Sequence, residues 1–329
     1  MNPHRSPSPT RGYLLTLVAT ALWSMSAIFI SYLTTRFHMP PLLLAFWRDL
    51  FVAGAVFSSL ALVARPLLRL DRRHVPFFVL YGFVLAVFNA IWTVSVAING
   101  AAVATVLNHT APAFTALAGW RWMGERLNAS KIGAIVLCIA GCALVSGAYD
   151  PAAWQVNPLG IAAGLAGGLG FAVYSLFGKA SSQRGINPWT ATLAAFAIGA
   201  SFLFLLQLPH MDTLLWLSQP SPASEPGGWH GAALGWGALV LLAIGPTLGG
   251  YGLYTVSLTH LPASTASLIV TLEPALTAIW AVLFLDERLT VPQLLGGSLI
   301  LIGVVLLRLS ERAVDATGSQ PQRPDQTLT

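Results

Sequence analysis

The sequence predicts an all-α integral membrane protein of ten transmembrane helices, arranged as two inverted five-helix repeats. Three observations carry that prediction. The 329 residues are 55% apolar and only 9% charged, against about 25% charged in soluble domains, which excludes a water-exposed fold. Runs of roughly 20 apolar residues recur along the chain, the length a helix needs to cross a hydrocarbon core about 30 Å thick, and almost every charge lies outside them. Residues 89–145 and 251–307 are one pattern written twice, 162 positions apart. The runs lack the short alternation of membrane strands, so a closed barrel is excluded as well.

Ten segments qualify as spans: about 12–33, 41–63, 75–97, 101–121, 131–149, 158–178, 188–208, 233–258, 263–285 and 291–309. Residues 1–11, rich in Pro and Ser, are expected to form a disordered cytoplasmic tail. The basic start and Ala19-Thr20-Ala21 mimic a secretory signal with its cleavage site. The apolar run continues well past that point and pairs with the sixth segment, so it reads as a span. The second segment carries Arg48 and Asp49, and the third Asn89 and Trp92. The fourth has an Ala-rich start, carries Asn108, His109 and Pro112, and leads into Gly124-Glu125-Arg126-Leu127. Cys138 and Cys142 on the fifth read as packing residues, because two thiols alone do not make a structural zinc site. The first repeat therefore covers 12–149, an external linker 150–157, and the second repeat 158–309.

In the second repeat, Gly160, Gly164 and Gly168 form a small-residue stripe on the sixth segment, as Gly245 and Gly249 do on the eighth. Close helix contact is the reading of both. With Gly167 and Gly170 the first stripe superficially matches a dinucleotide loop, but no strand precedes it. Residues 209–232, with Pro209, Pro220, Pro222 and Pro226, are expected to form an external loop of little regular structure, its Trp216 on the membrane surface. Pro246 is expected to bend the eighth segment, as a gating element or a static kink. The ninth holds Glu273, Pro274 and Trp280 and ends in Asp286-Glu287-Arg288-Leu289. Glu125 and Glu287, at water-facing ends, read as helix-end anchors or gate latches. Residues 310–329 form a second expected cytoplasmic tail. Trp120, Trp122, Trp154 and Trp189 lie at segment ends and fit an interfacial belt.

Orientation follows from the basic residues. With the N-terminus in the cytoplasm, fourteen arginines and lysines fall inside, Arg36 and Arg288 fall outside, and Arg48 stays in the bilayer. Both termini are then cytoplasmic, and the localisation expected is the inner membrane. The net charge of +5 describes a basic face beside anionic lipid, with no nucleic-acid partner implied. Five spans per repeat is an odd number, so the second copy enters the membrane from the opposite side. Inverted repeats suit two bundles rocking about a midplane site.

The copies register without a gap: Thr93-Val94-Ser95 on Thr255-Val256-Ser257, Ala101 on Ala263, Ala104 on Ala266, Pro112 on Pro274, and Glu125-Arg126-Leu127 on Glu287-Arg288-Leu289. Gly141 falls on Gly303. An earlier pair aligns at offset 148, with Gly12 on Gly160, Phe29 on Phe177 and Pro40 on Pro188. This pattern resembles the EamA family of the drug/metabolite transporter superfamily over residues 12–309. The features that carry the resemblance are the Ala-rich helix start, the mid-helix Pro, the acidic-Arg-Leu element and the Gly-punctuated helix after it. The resemblance implies a ten-helix secondary transporter of the cytoplasmic membrane, often an exporter of amino acids or other small metabolites. Asp286 departs from it, standing where the first copy has Gly124, and is expected to affect a helix end and not specificity.

Candidate functional residues are those costly to place in lipid and present in one half only. Arg48, Asp49, His109 and Glu273 qualify; their repeat partners are Phe196, Ala197, Thr271 and Ala111. Glu273 is placed near the middle of the ninth span, beside a proline that frees a carbonyl, and suits a proton or cation site or a hydrogen-bonded carboxylic acid. Asn108 and His109 lie at nearly the same depth, and histidine titrates near neutral pH. Arg48 is expected to snorkel outward, pair with an acid, or attract an anionic substrate. Its neighbour Asp49 projects about 100° away around the helix, which argues against a direct mutual pair. Trp23, Trp92, Trp280, Asn89, Tyr251 and Tyr254 are expected to line a shared cavity, and Pro112, Pro274 and Pro246 to act as hinges.

Three functions compete. The first is a secondary exporter of an amino-acid-like or amphipathic metabolite, driven by proton exchange or by the substrate gradient. The second is a facilitative transporter or antiporter of a sugar or nucleotide-linked solute. A membrane enzyme is disfavoured, because the chain has no HExxH, no paired His ligands and no phosphate loop. No cofactor or metal is expected. The expected partners are a small-molecule substrate, protons and lipid.

Overall fold

Prolines set most of the helix starts. A proline at the first turn loses no hydrogen bond and arrives with a helical φ, and the chain uses this at Pro41, Pro76, Pro188 and Pro274. In a computed structural model, residues 9–111, 113–114, 117, 129–146, 157–218, 229–257, 260, 269–270 and 272–318 are described. Their long elements are α1 (Pro9–Ser24), α2 (Ser26–Arg36), α3 (Pro41–Val63), α4 (Val75–Asn99), α5 (Ala101–Asn108), α6 (Ala129–Ser146), α7 (Pro158–Gln183) and α8 (Pro188–Gln207). There follow α9 (Trp229–Leu242), a π-helical segment (Ala243–Gly249), α10 (Gly250–Ser257), α11 (Glu273–Leu285) and α12 (Val291–Gly318). Among the described residues there is no strand.

Among the described residues six helical stretches are long and apolar enough to cross a bilayer: 10–36, 41–63, 72–99, 158–178, 188–218 and 231–254. Shorter apolar helices cover 135–145, 273–285 and 291–306. The expected spans 101–121 and 263–285 run partly outside the described residues. The surface is apolar where a soluble protein's would be polar: Leu62 is 85% and Leu234 63% exposed, while Arg48 is 4% and Asp49 0% exposed. Lipid, with no hydrogen bonds to offer, is the solvent that tolerates this arrangement. The chain is a multi-pass membrane protein.

Glycines let the helices approach closely. A Cβ on Gly141 would stand 2.6 Å from the Gly296 carbonyl oxygen, and one on Gly296 2.6 Å from that of Gly141, so α6 and α12 cross backbone to backbone. Gly82 on α4 takes the Ile198 side chain of α8 at 2.6 Å in the same sense. The expected stripe on α7 is a helix contact: a Cβ on Gly164 would run into Leu107, and one on Gly168 into the Thr110 hydroxyl. On the other stripe Gly249 reaches Leu22, but Gly245 meets only Leu241 of its own helix, because the backbone there leaves the α path.

Two helix ends use a left-handed residue. His38 (φ 48°) ends α2 with a Met39 N–H to Leu33 carbonyl bond of 3.1 Å, and Asp286 (φ 55°) ends α11 with a Glu287 N–H to Ala281 bond of 3.2 Å. Each bond reaches back six residues across a left-handed position, where Gly, Asn or Asp is best tolerated. Asp286, standing where the first copy has Gly124, is thus a helix-end substitution. Between α3 and α4, Asp71 accepts from the Arg73 N–H at 3.1 Å, which holds its carboxyl below the usual carboxylate range.

Several expected elements end elsewhere. α12 runs to Gly318, past 309, because no Gly or Pro stands between Gly303 and Gly318 to stop it. Residues 208–213 and 216–218 form short 3₁₀ turns instead of irregular loop. Trp216 is tied to the bundle, its indole donating to the Phe37 carbonyl at 2.9 Å. The linker 150–156, the Gly124–Leu127 element and Pro112 lie outside the described residues.

Four interruptions of the α ladder matter most, and each has a local cause. At Met25 the bond shortens to Leu22 (3.1 Å), and the Ser24 carbonyl accepts instead from the Thr277 hydroxyl at 3.1 Å. Pro246 has no N–H for the Leu242 carbonyl, so the chain widens into a π turn and the Thr247 hydroxyl takes that oxygen at 2.9 Å. α5 tightens at its end, where the His109 N–H is shared between Thr105 and Val106 and the Thr110 N–H returns to Leu107. Before Pro274, the Leu272 N–H closes on Ile269 at 3.0 Å. Replacing Gly141 by Leu should lower the stability of the folded bundle by about 1–3 kcal/mol through overpacking. Thermal unfolding in detergent checks this, and an unchanged midpoint would contradict the backbone crossing at Gly296.

Candidate functional site

A break inside a membrane helix exposes carbonyls and N–H groups at a depth where lipid cannot satisfy them, so broken helices are found facing protein or a polar cavity. Three of the four interruptions here meet around α11. Ser24 binds Thr277 through its carbonyl and receives the Trp280 indole on its hydroxyl at 3.0 Å. The end of α5 faces the start of α11, with His109 Nε2 standing 3.6 Å from Glu273 Oε2. The sequence placed Glu273 in mid-helix; the structure makes it the first residue of α11, because Pro274 can sit in a first turn but not in an interior.

The His109 ring has two backbone partners beside Glu273. Its Nδ1 lies 3.0 Å from the Thr105 carbonyl, which only accepts, so Nδ1 carries the hydrogen. The ring is also within hydrogen-bond reach of the Val270 carbonyl, and Nε2 faces the glutamate. At 3.6 Å the two are within ion-pair reach but too far apart for a hydrogen bond, and a small approach closes the gap. Their side chains are 12% and 19% exposed, against 0% for Asp49. Beside them the Asn108 Oδ1 is buried with no hydrogen-bond partner among the described residues.

A second polar cluster joins α3 and α4. Both Asp49 oxygens accept from Asn89 Nδ2, at 2.8 and 2.9 Å, and Oδ1 also faces Arg48 Nε at 3.4 Å. The adjacent pair that side-chain directions argued against thus forms. The arginine stem is long enough to curl around the helix despite the 100° offset, although the contact is at the limit of a hydrogen bond. Arg48 does not snorkel, being 4% exposed.

Tyr251 is within reach of both clusters and belongs to an aromatic group. Trp23 meets Tyr251 and Tyr254, each with ring centroids 5.2 Å away, and lies so close to Gly250 that a Cβ there would approach its ring to 2.5 Å. Tyr251 is within electrostatic reach of both Arg48 and Glu273, and of Tyr174 on α7. Tyr174 and Tyr81, stacked at 5.3 Å, were not singled out in the sequence. A tyrosine in mid-span, with a hydroxyl to satisfy, was the available signal. Trp92 is buried in the apolar core, and Trp280, partly buried, donates to the Ser24 hydroxyl at the helix break. Pro246 lies in the π segment, on the helix that presents Tyr251. The crevice of about 150 Å³ that stands open lies elsewhere, between α5, α11 and α12. Val106, Pro274, Ala278, Gln293 and Gly297 border it, and Arg48, His109 and Glu273 do not.

Glu287 clasps the two halves of the chain. Its carboxylate accepts from the Ala101 and Ala102 N–H groups, at 2.8 and 3.2 Å, and so caps the start of α5 from 186 residues away in sequence. Gly100, at φ 81°, leaves room for it, since a Cβ there would stand 2.9 Å from Oε1. An acid at a helix N-terminus is favoured both by the free N–H groups and by the helix dipole.

A helical bundle with an apolar surface, interrupted helices and buried ionisable groups beside the breaks has the build of a membrane transport protein. The profile of the EamA-like transporter family matches the chain twice, over residues 10–147 and 158–309, and the chain belongs to that family. Its members are transporters and not enzymes. An uncharacterized transporter of Synechocystis is 29% identical over 240 residues, 72% of this chain and 67% of that one. A probable amino-acid metabolite efflux pump of Escherichia coli is 26% identical over 312 residues, covering 89% of this chain and 93% of its own. A solved crystal structure, 19% identical, covers 93% of this chain and 99% of its own with a TM-score of 0.59, and so shares the fold.

Removing the clasp tests its weight. Glu287→Ala should destabilise the protein by about 1–2 kcal/mol, and Glu287→Gln by less, since the amide oxygen still caps one N–H. The measurement is thermal unfolding in detergent, and equal midpoints for all three proteins would show that the clasp contributes nothing.

Proposed function

We propose that the chain is a secondary active exporter of a small metabolite, such as an amino acid or an amphipathic compound, working by alternating access. In this reading ten spans form two inverted five-helix repeats, 12–149 and 158–309, in the inner membrane with both termini in the cytoplasm. The doubled family match and the charge distribution support that arrangement. The Escherichia coli relative, named as a probable amino-acid metabolite efflux pump, supports the solute class.

The observation that carries the reading is the His109–Glu273 pair at the join of two broken helices. Both groups are absent from the repeat-related positions, Thr271 and Ala111, so the scaffold closes without them in the other half. In the empty site Glu273 holds a proton that it can share with His109 Nε2. A cationic group of the solute displaces that proton by pairing with the carboxylate, and solute leaving on the far side lets a proton return. Each cycle thus exchanges one proton for one solute cation, and the Thr105 carbonyl keeps the imidazole oriented for the transfer. Asn108 offers an oxygen without a partner to the same solute.

Glu273→Gln should abolish transport, or separate it from the proton gradient, while leaving expression and unfolding temperature intact. The check is solute and proton flux with a pH-sensitive dye in proteoliposomes; wild-type flux across pH in this variant would remove Glu273 from coupling. His109→Ala should lower apparent affinity or flatten the pH profile by roughly tenfold in rate at one end, the scale of losing one positioned proton acceptor. Unchanged kinetics would return His109 to packing.

A further inference from the structure

The donors of Arg48 do not balance. A guanidinium carries five N–H groups, and a charged arginine buried for structure alone is expected to spend them on acceptors around it. Here Arg48 is 4% exposed, its Nε reaches Asp49 only at 3.4 Å, and its Nη2 is buried with no acceptor among the described residues. Its neighbouring acid cannot turn to help. Both oxygens of Asp49 are held by Asn89 at 2.8 and 2.9 Å, across to a second helix. The pair is therefore not the bidentate, side-on arrangement that arginine and a carboxylate adopt when each is the other's partner. Asp49 and Asn89 fix the stem of the arginine and leave its far edge unsatisfied.

Three further facts say what that edge is for. The repeat-related residues are Phe196 and Ala197, so the fold does not need a charge here. Tyr251 lies within electrostatic reach of both Arg48 and Glu273, which places the arginine on the same side of the bundle as the proposed proton site. Tyr251 in turn packs against Trp23, which also meets Tyr254, and this aromatic surface suits a small solute with an apolar body.

We propose that Arg48 is the binding point for the carboxylate of the transported solute, which is a small zwitterion with its anionic end at Arg48 and its cationic end toward Glu273. The inference rests on the export reading above and assigns the solute class to the same site. A carboxylate presents two oxygens to two parallel N–H groups and supplies the acceptors that Nη2 lacks. Asp49 and Asn89 are positioning residues: they hold the guanidinium and do not touch the solute. A neutral or purely cationic analogue leaves the buried donors unpaired and is rejected for that reason.

The test uses the common amino acids and their carboxamides, which keep the amine and side chain but lose the negative charge. Binding is read as the shift in unfolding temperature of the purified full chain in nanodiscs, and transport as counterflow in proteoliposomes. The wild-type protein should favour at least one acid over its amide by roughly tenfold or more, the scale of losing a charged hydrogen bond. The double variant Arg48→Gln, Asp49→Asn, which removes both charges together so that no lone one stays buried, should lose that preference while unfolding near the wild-type temperature. Equal handling of acid and amide by the wild-type, or a preference that survives in the double variant, overturns the carboxylate subsite alone. Acid-selective binding without any transport overturns the export reading alone, and an acid neither bound nor moved overturns both. Should the double variant fail to fold, Arg48→Lys provides the same comparison. Its point charge keeps the attraction but not the two-pronged fit, and it should narrow the preference; an unchanged preference counts against the subsite.

Discussion

In hydrocarbon, a hydrogen-bonding group that finds no partner inside the protein finds none at all. This constraint organises the whole molecule. It explains why the helices break where a neighbour can take over the freed groups: Ser24 hands its carbonyl to Thr277, and Leu242 hands its own to Thr247. It explains why Asp49 sits wholly buried with two bonds from Asn89. It also gives weight to the exceptions: among the described residues Arg48 Nη2 and Asn108 Oδ1, like Ser181 Oγ and His260 Nδ1, are buried without a hydrogen-bond partner.

The same constraint separates scaffold from site. The glycine crossings, Gly141 on Gly296 and Gly82 on Ile198, bring backbones together using dispersion and close fit, with no polar group at stake. The Glu287 clasp is polar but fully answered by two N–H groups at the end of the bundle. Around α11 the balance changes. There the ionisable residues are only partly matched, three helix interruptions converge, and Tyr251 stands within reach of both Arg48 and Glu273. The open crevice beside Pro274 is apolar and lies outside this region, so it is better suited to a lipid tail than to a charged solute.

Much of the fold was legible because membrane spans are written in composition. The expected 41–63 coincides with α3, and the starts at 75, 158, 188 and 291 match helix starts, since prolines and charges mark them. The shared depth of Asn108, His109 and Glu273 was readable from the repeat offset, and the structure brings His109 and Glu273 together. What could not be read depends on groups far apart in sequence. The break at Met25 has no proline or glycine of its own and exists because Thr277 is there to receive it. The Arg48–Asp49 contact depends on how a flexible stem curls, and on Asn89 claiming the acid from another helix. Glu287 was legible as a helix-end acid, but the end it caps belongs to α5 and not to its own helix.

The central claim is that the polar region around His109 and Glu273 is reached by water from each side of the membrane in turn. The most direct test places one cysteine at Asn108, in a chain whose Cys138 and Cys142 are replaced by serine, and measures its labelling by a membrane-impermeant thiol reagent applied to either face of oriented vesicles. Labelling from both faces, slowed by a transported solute, is the predicted result. Labelling from one face only under all conditions, or from neither, would contradict alternating access at this site.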